Sequence, residues 1–159
     1  MKPSVISILV IMALSSSGCS MICQSMNGLE TRHKVVAASA TFVEAQRLIL
    51  NHKFTEAIAA YRQVIQEHPD TEWAPEAKYS IALAYVSAEN PQRDYALGIL
   101  ELDEFLSSYP QDPRAEEAKS WRAVLKAAID SKKENDRLHK NIEQLKQLDV
   151  RQEEKRLGR

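Results

Sequence analysis

Glycine and proline are scarce in this 159-residue chain, at four and six residues, and so are cysteine, at two, and aromatic side chains, at 6%. So few turn-formers leave little room for the frequent reversals of a strand-rich fold, and two cysteines exclude a disulfide scaffold. There is no G-x-G-x-x-G, no Walker lysine loop and no H-E-x-x-H. His33, His52, His68 and His139 are scattered, with no Cys, Ser or carboxylate placed to pair a base with a nucleophile. Glu116-Glu117 and Glu153-Glu154 are chain neighbours, which a helix splits across its faces, so neither is an acid–base pair. No His or third Cys stands at ligand spacing from Cys19 and Cys23. These absences lead us to expect a non-enzyme without metal or cofactor.

Charge of one sign is missing as well: 21 Lys plus Arg balance 22 Asp plus Glu. Basic residues are interleaved with acids and lack an aromatic platform, which argues against nucleic acid. The distribution says more than the sum. Residues 131–159 carry nine basic and six acidic groups, a net of +3, whereas 19–130 carry eleven and sixteen, a net of −5.

What the chain does contain is a repetition. The stretch FTEAIAAYRQVIQEHPDTEWAPEAKYSIALAY returns 41 residues later as YALGILELDEFLSSYPQDPRAEEAKSWRAVLK. Phe54 falls on Tyr95, Ile58 on Ile99, Ile65 on Leu106, and His68-Pro69 on Tyr109-Pro110. Ala74, Glu76, Ala77, Lys78 and Ala82 fall on Ala115, Glu117, Ala118, Lys119 and Ala123. Self-similarity at this period predicts helical hairpins, each unable to bury its apolar face alone.

The apolar spacing predicts a first helix over about Phe42–Leu50, after a short connector over Gln24–Ala40 that carries the Asn27-Gly28 pair. A second helix follows Thr55 as N-cap and stops before Pro69, since proline lacks an N–H and pushes its predecessor out of the α region. A third runs from Trp73 or Ala74 to Ala88, a fourth from Tyr95 to Ser108, and a fifth begins at Arg114. Ala57, Ala77, Ala82, Ala118 and Ala123 are expected at close helix contacts, with Tyr61, Tyr85 and Phe105 filling the gaps. Trp73 and Trp121 read as packing residues.

Ala57, Tyr61 and Pro69, and again Gly98, Leu102 and Pro110, stand where the tetratricopeptide repeat puts its small residue, its larger packing residue and its closing proline. The 41-residue period and the run YP-x-x-P-x-A-x-x-A resemble the BamD-type periplasmic tetratricopeptide lipoproteins. That resemblance implies an all-α hairpin solenoid and a protein-binding groove lined by Gln46, Glu76, Tyr79, Glu117 and Ser120. A solvated helix face would look the same at these five positions. Two hairpins and a helix are few for a free-standing repeat stack, so the last helix or a partner must cap it.

From Ala115 to about Arg156 there is no proline, and Gly158 is the only glycine after Gly98. A long helix is expected, with Leu138, Ile142 and Leu145 on a 4–3 seam whose next places fall on Asp149 and Gln152. Both a solvated charged helix and an interaction helix, for self-association into a homo-oligomer or for a partner, fit that pattern. Glu134 with Arg137 and Glu143 with Lys146 are spaced for i,i+3 pairs. The segment ENDRLHKNIEQLKQLDVRQEEKR also resembles the tail of QseG-type lipoproteins associated with two-component sensor kinases.

The N-terminus reads as an address. Lys2 precedes an apolar run from Val5 to Leu14 and the small residues Ser15-Ser16-Ser17-Gly18, the layout of an export signal. About ten apolar residues rise only about 15 Å as a helix, half a bilayer core. Gly18-Cys19 resembles a bacterial lipobox, with Ser16 and Leu14 in place of the usual leucine three residues before the cysteine. The resemblance implies cleavage between Gly18 and Cys19 and a covalent N-acyl and S-diacylglycerol lipid on Cys19. An ordinary export signal cut near Gly18 is the alternative. Ser20 in place of Asp leans towards the outer membrane, and Cys23 reads as a tether residue. The chain thus divides into an export segment (1–18), a lipidated tether (19–40), repeats (41–130) and a charged helix (131–159). The function these features imply is a lipid-anchored periplasmic adaptor, accessory to an envelope-sensing kinase. Its alternatives are an outer-membrane assembly factor and a structural lipoprotein that oligomerises through its tail.

Overall fold

Two helical hairpins and one long helix make up the described part of the chain. The computed structural model describes residues 31–158; the expected export segment, Gly18, Cys19 and Cys23 lie outside the described residues. Among those described the fold is all-α, of the tetratricopeptide type: α1 (residues 31–50), α2 (Phe54–Glu67), α3 (Trp73–Val86), α4 (Tyr95–Ser108) and α5 (Ala115–Arg156). The chain divides into two compact units, Met1–Ala77 and Lys78–Arg159, with the division inside α3.

The repeat is written in the backbone as well as in the sequence. α2 ends at His68, with φ −135° and ψ 49°, and α4 ends 41 residues later at Tyr109, with φ −131° and ψ 58°. Each of these residues donates its N–H to the carbonyl four places back, Val64 and Phe105 respectively. The turns beyond the two prolines match bond for bond. Thr71 donates to His68 and Ala74 to Thr71; Asp112 donates to Tyr109 and Ala115 to Asp112. A proline after the C-cap stops helix growth without costing a hydrogen bond there, because the helix has already ended.

In the first unit α1 is helical at the first described residue, eleven places before the expected start at Phe42. The connector expected over Gln24–Ala40 is therefore helix from residue 31 onward. Ala38, Phe42 and Ala45 are buried at four- and three-residue spacing, a pattern too thin at its start to read from composition. Phe42 stacks between Tyr61 and Trp73, with ring centroids 5.2 and 5.1 Å away. The end of α1 is a Schellman turn: Lys53 N–H donates to Leu48 and His52 N–H to Ile49, with His52 at φ +58°. α2 starts directly at Phe54 with Lys53 in the N-cap place and no side-chain cap bond, so Thr55 is not the cap.

The second unit is built on Tyr79, Ala82, Leu102, Phe105, Ala118 and Leu125, with Leu83, Val86, Tyr95, Ile99, Leu106 and Tyr109 packed around them. Gly98 lets α4 approach α3: a Cβ there would lie 2.3 Å from the Val86 Cγ1. The polar turn of residues 87–94 is anchored by buried Asn90, whose Nδ2 donates to the Ala84 carbonyl at 2.9 Å while its Oδ1 accepts from Gln92 N–H. Asp94 caps α4 by accepting from Ala96 and Leu97 N–H groups at 2.8 and 3.0 Å. α5 is 42 residues long, about 63 Å at 1.5 Å per residue. Only its first turns are covered, and every residue from 130 to 158 is exposed.

Candidate protein-interaction surface

The five positions expected to line a groove are divided between the two units. Gln46 and Glu76 belong to the first unit, Gln46 exposed and Glu76 half-buried. Tyr79, Glu117 and Ser120 belong to the second. Tyr79 is not outward-facing: it is 5% exposed, stacks on Phe105 at 5.4 Å and lies under the Arg114 guanidinium at 5.7 Å. Its hydroxyl is buried without a well-aligned hydrogen-bond partner, and burial, with the Glu117 carboxylate adding to it, pushes the phenol up to about 12. Glu117 is exposed, and the Ser120 hydroxyl donates to the Glu116 carbonyl of its own helix at 3.0 Å.

Polar residues that sequence reading did not single out hold this unit in shape. The Lys78 ammonium donates to Glu101 at 2.7 Å and also to Glu104, with the Lys78 and Glu101 side chains only 16% and 9% exposed. Burial alone would lower the Lys78 pKa, but the two carboxylates outweigh it and hold it above the ordinary lysine value. One signal could have found the pair: Glu101 is a carboxylate at the position that the first copy fills with Ala60. Asp112 accepts from the Arg114 side chain at 2.8 and 2.9 Å and from its backbone N–H, which holds its carboxyl below the usual range. These contacts stiffen the helix-to-helix turn; none is arranged as a base with a nucleophile.

A concavity in the second unit lies elsewhere, between the end of α3, the start of α4 and one side of α5. Leu83, Val86, Tyr95, Trp121, Val124 and Ala128 are among its lining residues, and it encloses about 470 Å³. Trp121 and Val124 stand at its rim, 38% and 58% exposed, so Trp121 is not the packing residue the sequence led us to expect. The two repeat copies differ here. Ala82, Leu83 and Val86 of α3 pack in the cluster with α4, whereas their counterparts 41 residues on, Ala123, Val124 and Ala127, are all exposed. Ala123 is exposed and therefore makes no close helix contact.

The apolar face continues into the tail. Leu138, Ile142 and Leu145 are exposed at 46%, 49% and 61% on one side of α5. Stepping back by alternating threes and fours from Leu138 reaches Asn135, Ser131, Ala128, Val124 and Trp121. Groove and tail are one heptad-spaced stripe of eight positions, polar only at Ser131 and Asn135. Around it the tail is charged and solvated, with Arg137 bound to Glu134 at 2.6 Å and Arg156 to Glu153 at 3.1 Å. A stripe of this kind has no means of making or breaking bonds; it is suited to receiving another helix.

Among the described residues no helix is long and apolar enough to cross a membrane. A family model described as "YfiO: Outer membrane lipoprotein" matches residues 35–155, a span that takes in both repeat copies and nearly the whole of the tail. No curated protein matches the chain.

Proposed function

Because the chain belongs to the YfiO family of outer membrane lipoproteins, we propose that it is a lipid-anchored scaffold of the bacterial envelope that binds other proteins through the stripe along α5. The observation that carries this reading is the continuity of exposed apolar side chains from Trp121 and Val124 to Leu138, Ile142 and Leu145 on a helix otherwise clothed in charge. Exposed apolar surface set in a polar rim is what a protein-binding surface needs. An amphipathic helix with its own i, i+3, i+4, i+7 apolar row would cover it.

Anchoring follows from Cys19, lipidated after cleavage at Gly18. Three acyl chains hold far more tightly than the roughly 10⁴ M⁻¹ of a single myristoyl group. The chain would sit on the periplasmic face of the outer membrane, the side to which an exported lipoprotein is delivered, with no cofactor beyond its lipid. Membership of this family, over repeats and tail together, favours a part in outer-membrane protein assembly. The wording of the tail favours a second reading, accessory to an envelope-sensing two-component kinase. Crosslinking in intact cells followed by mass spectrometry, on the full chain and on one ending at Asp130, separates them. Barrel-assembly components recovered with both chains support the first, and a histidine kinase lost with the tail supports the second. Recovery of no envelope protein with either chain would refute the scaffold reading.

A further inference from the structure

We infer that the helix received by the stripe is the tail of a second copy of this chain, lying antiparallel so that each copy closes the other's groove. This rests on reading the stripe as a protein-binding surface and names its occupant.

The register is carried by the eight stripe positions themselves. In an antiparallel pair whose two-fold axis lies beside residue 133, Trp121 of one copy meets Leu145 of the other, Val124 meets Ile142, and Ala128 meets Leu138. Ser131 meets Asn135, so the two polar positions fall together at the centre and not against an apolar residue. The symmetry repeats each contact, giving six apolar layers around two polar ones that can hydrogen-bond. Ala128 against Leu138 also matches small with large, and Val124 against Ile142 branched with branched. Such a two-fold, self-complementary contact is how most soluble homodimers are built.

A parallel pair uses the same residues poorly. It joins Leu138, Ile142 and Leu145 each to itself, about one heptad, and brings the two Trp121 grooves to the same end, where neither is filled. Charge points the same way. The antiparallel arrangement lays the +3 tail of one copy along residues 115–130 of the other, where three acidic and three basic side chains balance. A parallel pair sets +3 against +3. Near the axis Glu134 is already engaged by its own Arg137.

The area suffices. Trp121, Val124, Leu138, Ile142 and Leu145, at 38–61% exposure, offer on the order of 500 Å² per copy before flanking stems are counted, so two copies reach the roughly 1,000 Å² that a stable interface needs. The arriving tail would also cover Val124, which is both a stripe residue and the repeat counterpart of Leu83, a residue packed with α4.

The test is disulfide crosslinking of the full chain in its own membrane, in a Cys23→Ser background, with two differently tagged chains carrying Ala128→Cys and Leu138→Cys. Both positions are at least partly exposed, so neither change threatens the fold. The antiparallel register brings residue 128 within bonding distance of 138 of the other copy, while like residues lie about 15 Å apart along the axis. The expected result is a covalent mixed dimer from co-expressed chains and none from either alone, abolished by adding Ile142→Asp. Dimers from each single-cysteine chain alone, or none from the mixture, would overturn the inference. A photocrosslinker at Val124 separates the two failures. A different envelope protein captured there without a self-adduct overturns the dimer and leaves the scaffold standing. Capture of nothing overturns both.

Discussion

Replacing Gly98 by alanine sets two effects of opposite sign against each other. In a helix interior the change gains about 1 kcal/mol of propensity, and on an open face α4 would be stabilised by that amount. Here the new Cβ would lie 2.3 Å from Val86 Cγ1, while Ala82 O and Leu125 Cδ1, each at 3.6 Å, are ordinary contacts. Carbon atoms rest about 3.5–4.0 Å apart, so Val86 or the helix must give by more than an ångström. Val86 is β-branched and strongly prefers one χ1 rotamer in a helix, which makes turning aside costly. Overpacking of this kind costs about 1–3 kcal/mol. We therefore expect Gly98→Ala to lose about 1 kcal/mol net, read as a lower urea midpoint by circular dichroism at 222 nm with unchanged slope. The same change in a Val86→Ala background, where the space is vacated, should instead stabilise by about 1 kcal/mol. If Gly98→Ala stabilises the native chain, and by the same amount with and without Val86, the close approach of α3 and α4 is wrong.

Four other outcomes follow from particular contacts. Lys78→Met removes the ammonium bound to the buried Glu101 carboxylate and should destabilise by about 2–4 kcal/mol, with Lys78→Met/Glu101→Leu recovering most of the loss in a double-mutant cycle. The Asp112 pKa is depressed in the folded chain, so its contribution is present above the unfolded value near 3.9 and is lost as pH falls through the folded one. Urea midpoints of the native chain and of Asp112→Asn should accordingly differ at pH 5 and converge towards pH 2. His52→Gly relieves a left-handed residue and should raise stability by about 1 kcal/mol on thermal melting. Cys19→Ala should move the protein from the membrane fraction to the soluble periplasm; retention in the membrane would contradict anchoring through that residue.

Much of the fold was legible because it is written twice. Pro69 and Pro110 fix helix ends chemically, so α2 and α4 stop where expected, and α4 spans Tyr95–Ser108 as read. The start of α1 was not legible, because between residue 31 and Phe42 burial falls on small Ala38 and leaves no amphipathic period to see. Tyr79 was assigned outward by analogy of position, and the Phe105 ring and Arg114 guanidinium that cover it come from α4 and the turn before α5, not from its own helix. Lys78 and Glu101 lie 23 residues apart, a separation at which no local pattern operates. The tail seam was visible at Leu138, Ile142 and Leu145. Its continuation to Trp121 was not, because packing was expected to claim that face, whereas Trp121 and Val124 stand 38% and 58% exposed on it.

The most direct test of the central claim, that α5 is a protein-binding surface of an envelope lipoprotein, is site-specific photocrosslinking in living cells. The photoreactive group would stand at Val124 and Ile142, on the stripe, and at Lys133, on the charged flank. The expected result is discrete protein adducts from both stripe positions and none from Lys133. Adducts equally abundant at all three, or absent from all three, would contradict it.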